Sequence, residues 1–132
     1  MPSHKANKWG TAGEYVMARH WGVRLTDDEG NRIDTDHYDG LRGTTPWEFK
    51  VAKNYHADGN RGNFKIYREA HEKLKAKNGR YGLGVYEIRG NSFYLKYKKT
   101  VPASKLPLFR WHGGGEHRGM KQTKLPIEAV FG

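Results

Sequence analysis

Residues 38 to 52 read Tyr38-Asp39-Gly40-Leu41-Arg42-Gly43-Thr44-Thr45-Pro46-Trp47-Glu48-Phe49-Lys50-Val51-Ala52, and the architecture of the chain turns on them. Trp47, Phe49 and Val51 alternate with Glu48, Lys50 and Ala52, the two-residue period of a strand with one apolar face. Glu48 and Lys50 must then share the other face. Tyr38 to Arg42 leads into Gly43-Thr44-Thr45-Pro46, a composition that favours a tight reversal. A hairpin centred between Gly43 and Thr44 pairs 42 with 45, 40 with 47 and 39 with 48. Asp39 therefore faces Glu48, and directly opposed residues hold their Cβ atoms roughly 4.5–5.5 Å apart, close enough for two carboxylates to share one divalent ion. A slip of one residue would separate them.

Working outward, Thr11-Ala12-Gly13-Glu14 has the form of a capping box, which predicts a helix from about residue 11 to Trp21 with Gly22 as its end. Val23 to Thr26 and Arg32 to Thr35 are short strand candidates around the turn-forming Asp28-Glu29-Gly30-Asn31. Beyond the hairpin, residues 53 to 63 read as a polar connection, followed by a helix over Tyr67 to Asn78 that Gly79 closes. Its inner face is Tyr67, Ala70, His71 and Leu74, which makes His71 a hydrogen-bonded core histidine rather than a metal ligand. Tyr81 to Ile88 and Ser92 to Lys98 form a second hairpin through Arg89-Gly90-Asn91. The tail after residue 98 holds Pro102, Pro107, Pro126 and Gly113-Gly114-Gly115 and reads as an irregular basic extension with an apolar end at Ile127, Val130 and Phe131. His112 and His117 flank those glycines, but without cysteine or helical spacing they make no zinc site.

With 132 residues and no internal repeat, the chain is expected to form one domain, a core over about 10–98 and the extension over 99–132. No cysteine is present, so disulfides and thiolate metal sites are excluded. Met1 is followed by Pro-Ser-His-Lys and no apolar run approaches a bilayer span, so the expectation is a soluble, cytoplasmic protein without membrane contact. Charge narrows the partner. Residues 27 to 39 hold six carboxylates and one Arg, net −5, so within a total of +10 the remainder of the chain carries +15. A field of that sign attracts polyanions, while the acidic spot is either a solvated turn or a cation site. Lys53, His56, Arg61, Lys65 and Arg68 follow the Glu48 strand closely and are the candidates for contact with a nucleic-acid backbone.

A helix with an internal Glu, short strands, an Asp, then Glu-x-Lys on a strand, then helix and strand: over residues 10 to 88 this order resembles the PD-(D/E)XK nuclease superfamily, the fold of many restriction endonucleases and Holliday-junction resolvases. Glu48-Phe49-Lys50 is the only Glu-x-Lys in the chain, and Tyr38 stands where the eponymous Pro would precede the Asp. The resemblance implies an α/β, restriction-endonuclease-like core of order αβββαβ, with a central mixed β-sheet flanked by helices. It implies that Asp39, Glu48 and the main-chain carbonyl of Phe49 bind Mg²⁺, with Mn²⁺ as a substitute. Lys50 would position or activate the attacking water, and Glu14 would assist. The small homodimeric restriction enzymes are nearest in size and Asp-to-Glu spacing, so DNA and a second copy of the chain are the expected partners. A junction-resolving or repair nuclease of the same fold and a non-catalytic nucleic-acid-binding module are the alternatives.

Overall fold

A computed structural model describes residues 4–35, 37–107, 110–114 and 117–132. The chain runs α1 (His4–Trp21), β1 (Gly40–Arg42), β2 (Thr45–Lys53), β3 (Asn63–Tyr67), α2 (Arg68–Ala76), β4 (Arg80–Arg89), β5 (Ser92–Pro102), β6 (His112–Gly114), β7 (His117–Pro126) and α3 (Ile127–Phe131). The first six elements have the order αβββαβ. The central sheet is mixed, with strand order β1-β2-β4-β5: β1 and β5 join antiparallel, and β2 and β4 pair parallel from Trp47↔Arg80 to Lys53↔Tyr86. The parallel pair requires a crossover. Here β3 and α2 supply it.

Each face of β2 has its own cover. Trp47 and Phe49 pack with Met17, Ala18, Val23 and Leu25 into one apolar cluster beneath α1. Glycines let the helix approach closely: a Cβ on Gly13 would overlap Val51, one on Gly82 the Phe49 ring, and one on Gly84 the Leu95 and Met17 side chains. On the opposite face, Ala52, Tyr81, Leu83 and Val85 pack with Leu74 of α2 and with Phe64, Ile66 and Leu125. Glu48 and Lys50 lie on this second face, at the margin where its cover ends.

Four expectations need correction. The helix begins seven residues before Thr11, at His4, so Thr11-Ala12-Gly13-Glu14 lies inside α1 and is not a capping box. Val23–Thr26 and Arg32–Thr35 are not strands; single bridges at Arg24↔Leu41 and Thr26↔Arg32 tie them down. The polar connection ends earlier than read, because Asn63–Tyr67 is strand β3 and the second helix starts only at Arg68. The tail is not irregular: β7 pairs with β3 and β6 in a second, three-stranded sheet, and α3 closes the chain. Phe64 and Ile66 of β3 need the apolar cover that Thr123 and Leu125 of β7 supply in register. No helix among the described residues is long and apolar enough to cross a membrane.

Candidate active site

The hairpin has the register expected from its symmetry, with Arg42↔Thr45 and Gly40↔Trp47. Gly43 sits at φ 62°, a left-handed turn position that suits glycine. Asp39 is the residue before β1, and its N–H donates to the Trp47 carbonyl at 2.7 Å. Asp39-Gly40 is thus an entry into pairing, not a free turn. Gly40 is required there because a Cβ would overlap the Arg24 carbonyl. β1 is too short to pair with β2 past Trp47, which leaves the N–H of Phe49 without a ladder partner. The Asp39 carboxylate accepts it at 2.8 Å. N–H and C=O of one strand residue point to the same side, so the Phe49 carbonyl faces the same open edge as the Asp39 side chain.

Asp39 and Glu48 are close enough for each to perturb the other's carboxyl. Burial pushes the Glu48 carboxyl up to about 8; the nearby Lys50 charge works against this, and Asp39 and Glu14 add to it. Burial also raises Asp39, with the Phe49 N–H as the main opposing influence. Burial and the mutual proximity of the carboxyls thus both favour the protonated form of the pair. Lys50 completes the group: its Nζ lies 3.7 Å from Glu48 Oε1 and 5.6 Å from the centre of the Tyr67 ring.

α1 brings a third carboxylate to this edge. Glu14 accepts a hydrogen bond from Arg32 and, with Asp39, Lys50 and Thr11, lines an open cleft of about 330 Å³. Burial and Asp39 raise the Glu14 carboxyl, while Arg32 lowers it. Arg32 also sits 3.8 Å from Asp34. Nothing local in the sequence pointed to Arg32, because its partner lies 18 residues away. Asp36, a further carboxylate of the acidic segment, lies outside the described residues.

Of the residues picked for backbone contact, Lys53 and His56 share a separate groove of about 320 Å³ with Tyr55 and Arg89. Arg61 is committed to structure: it bonds Asn54 at 2.6 Å and Glu128 at 3.0 Å, with its guanidinium over the Tyr55 ring. Lys65 is exposed on β3 and Arg68 at the start of α2. None of these five lines the Asp39 cleft. His71 is the core histidine expected, buried, with Nδ1 2.8 Å from the Tyr81 hydroxyl. His112 is exposed, and the His117 side chain lies outside the described residues.

Among the described residues no three His, Asp or Glu side chains converge as a metal cage. The donor set at the edge is instead two carboxylates and a main-chain carbonyl, all hard oxygens. That set suits Mg²⁺, which is commonly held by one or two carboxylates with waters and substrate phosphates filling the remaining positions.

Searches of curated proteins and of solved structures find no match. The family described as PD-(D/E)XK nuclease superfamily domain matches residues 1–132, the whole chain. With that match and the four-stranded mixed sheet carrying Asp39, Glu48 and Lys50, the chain belongs to the PD-(D/E)XK nuclease superfamily.

Proposed function

We propose that the protein is a Mg²⁺-dependent DNA endonuclease of restriction-endonuclease type, hydrolysing phosphodiester bonds at the cleft between α1 and β2. The observation that carries this is the joining of Asp39, Glu48 and Lys50 at one strand edge, with the Asp39 carboxylate already oriented by the Phe49 N–H. Asp39, Glu48 and the Phe49 carbonyl would hold the ion. Once bound it would supply a nucleophile at neutral pH and neutralise charge on the phosphoryl oxygens.

The chain's own groups have separate tasks. Asp39 cannot rotate away without leaving the Phe49 amide unpaired, at a cost of about 1–3 kcal/mol if that amide is buried. Glu48 would bind an ion as the carboxylate, its proton passing to solvent. Lys50 lines the cleft, and its ammonium, near Glu48 and the Tyr67 ring, would orient a water or a phosphate oxygen. Glu14, steadied by Arg32, offers a further acceptor on the α1 side for that water. One such site cuts one strand, so cleavage of a duplex calls for two copies, most simply a homodimer.

The deciding experiment is incubation of supercoiled plasmid with the protein in Mg²⁺ buffer, beside Asp39→Asn and an EDTA control. Nicked or linear product from the parent alone is expected. No product from the parent on duplex, single-stranded or branched DNA would overturn the proposal.

A further inference from the structure

The second sheet has two unlike faces. Phe64, Ile66, Thr123 and Leu125 point into the core. The alternate positions point outward, and their register sets Asn63 against Pro126, Lys65 against Lys124 and Tyr67 against Gln122. His112 of β6 extends the last row, opposite Gln122, and Arg110 precedes it. No carboxylate stands among these outward positions. Lys65, Lys124 and Arg110 make no ion pair or side-chain hydrogen bond among the described residues.

Two lysines directly opposed across an antiparallel pair repel, and such pairs are destabilising. Some surface lysines elsewhere have a carboxylate partner, as Lys73 has Glu69, Lys75 has Glu72 and Lys96 has Glu87. Among the described residues the charge on this face is uncompensated. Arg110, His112, Gln122 and Lys124 further line a cleft of about 510 Å³, so the face is concave as well as basic. It also runs up to the candidate active site, because Tyr67, at the end of the Lys65 strand, carries the Lys50 ammonium over its ring.

We propose that the outer face of the β3–β7–β6 sheet is a track for the nucleic-acid phosphate backbone, in which Lys65, Lys124 and Arg110 hold the strand that Lys50 and the carboxylates act on. The track rests on the nuclease reading for the identity of its polyanion. It adds a binding surface built from the C-terminal segment, away from the catalytic edge. Tyr67 is the junction between the two: a backbone passing over it would leave one phosphate at Lys50 and the next ones on the lysine pair.

The test is equilibrium binding of a fluorescent short duplex and of its single strand in metal-free buffer over a range of salt. The proteins compared are the parent, Lys65→Gln/Lys124→Gln and, as a control for loss of charge elsewhere, Lys98→Gln/Lys105→Gln. Each phosphate contact contributes roughly 0.7 to 0.9 to the slope of log affinity against log salt. Removing two lysines from the track should therefore lower the slope by about 1.4 to 1.8 and weaken binding roughly tenfold or more near physiological salt, while the control changes neither appreciably. Thermal melting should show the track variant as stable as the parent or more so, since it removes a repelling pair. An unchanged slope in the track variant, an equal loss in the control, or a parent that binds neither probe would overturn the track. Cleavage by the parent in Mg²⁺ is scored separately, so a nuclease that cuts without using this face is distinguished from a protein that does not cut at all.

Discussion

The N–H of Phe49 donates to the Asp39 carboxylate at 2.8 Å, so the strand that carries Glu48 and Lys50 also fixes the carboxylate of its neighbour. The contact exists because β1 stops pairing with β2 at Trp47, just before Glu48 and Lys50. Had β1 continued by ordinary pairing, a backbone carbonyl would occupy the place of the Asp39 side chain. The early end of the hairpin therefore opens the edge and orients the Asp39 carboxylate there.

Replacing Asp39 with Asn tests that arrangement. Asn keeps an oxygen for the Phe49 N–H and removes one of two adjoining carboxylates, so the fold should hold and the variant should melt at the parent's temperature or slightly above. Cleavage should fall on the order of 10²-fold to 10⁴-fold, while DNA binding without metal is retained. The rise in melting temperature on adding Mg²⁺ should shrink, because an ion that binds only the native state stabilises in proportion to its occupancy. A variant that cuts normally removes Asp39 from the site, and one that unfolds makes the residue structural.

The metal preference follows from the all-oxygen donor set. Mg²⁺ and Mn²⁺ should support cutting, whereas Ca²⁺, which accepts longer bonds and looser geometry, should support binding with little turnover. Product yield in each metal, with excess EDTA as the blank, measures this. Undiminished cutting in EDTA would show that the carboxylates do not act through an ion.

Glu48 makes the metal-free protein sensitive to pH. Its native carboxyl titrates at about 8, against 4.5 as its ordinary value, so between these values the native state holds a proton that the unfolded chain has released. Stability then falls as pH rises through this window and levels off above it, with a total loss of a few kcal/mol at most. Glu48→Gln should flatten the curve. Mg²⁺ must displace the same proton, so its apparent affinity should rise by up to about tenfold per pH unit below the Glu48 value. Titration calorimetry in two buffers of different ionisation heat should detect proton release near neutral pH. Mg²⁺ affinity that stays flat across this range would contradict a protonated Glu48.

The site was more legible in the sequence than the fold around it, for a physical reason. A two-residue period sets Glu48 and Lys50 on one face, and a short hairpin has few registers, so Asp39 could be placed opposite Glu48 from local pattern alone. The second sheet depends on β3 meeting β7 from the far end of the chain, a pairing no local window contains. β3 also passes into α2 without a breaking residue, Tyr67 being followed directly by Arg68, so its boundary carried no signal. At Glu14 the Thr-x-x-Glu spacing was present, but the carboxylate goes to Arg32 across the fold instead of to a helix end. The family resemblance pointed to this position, which does line the Asp39 cleft, whereas the local explanation for it was wrong.

The Glu14–Arg32 pair separates a helper of catalysis from a structural ion pair. Gln at position 14 keeps an oxygen that can accept from Arg32, so Glu14→Gln should leave the fold and metal-free DNA affinity near the parent's, while removing a negative charge from the cleft. If Glu14 assists the water, cleavage should drop roughly tenfold to a hundredfold, as is usual for groups that orient a metal site's ligands. Arg32→Ala removes the partner instead and leaves a partly buried carboxylate uncompensated. Burial and Asp39 already raise Glu14, and without Arg32 it should rise further, so more of it is protonated at neutral pH. The two variants then differ in pH response: Arg32→Ala should regain activity as pH rises and Glu14 ionises, whereas Glu14→Gln, with nothing to ionise there, should not. Parallel pH–rate profiles for the two would show that the pair acts only through the fold.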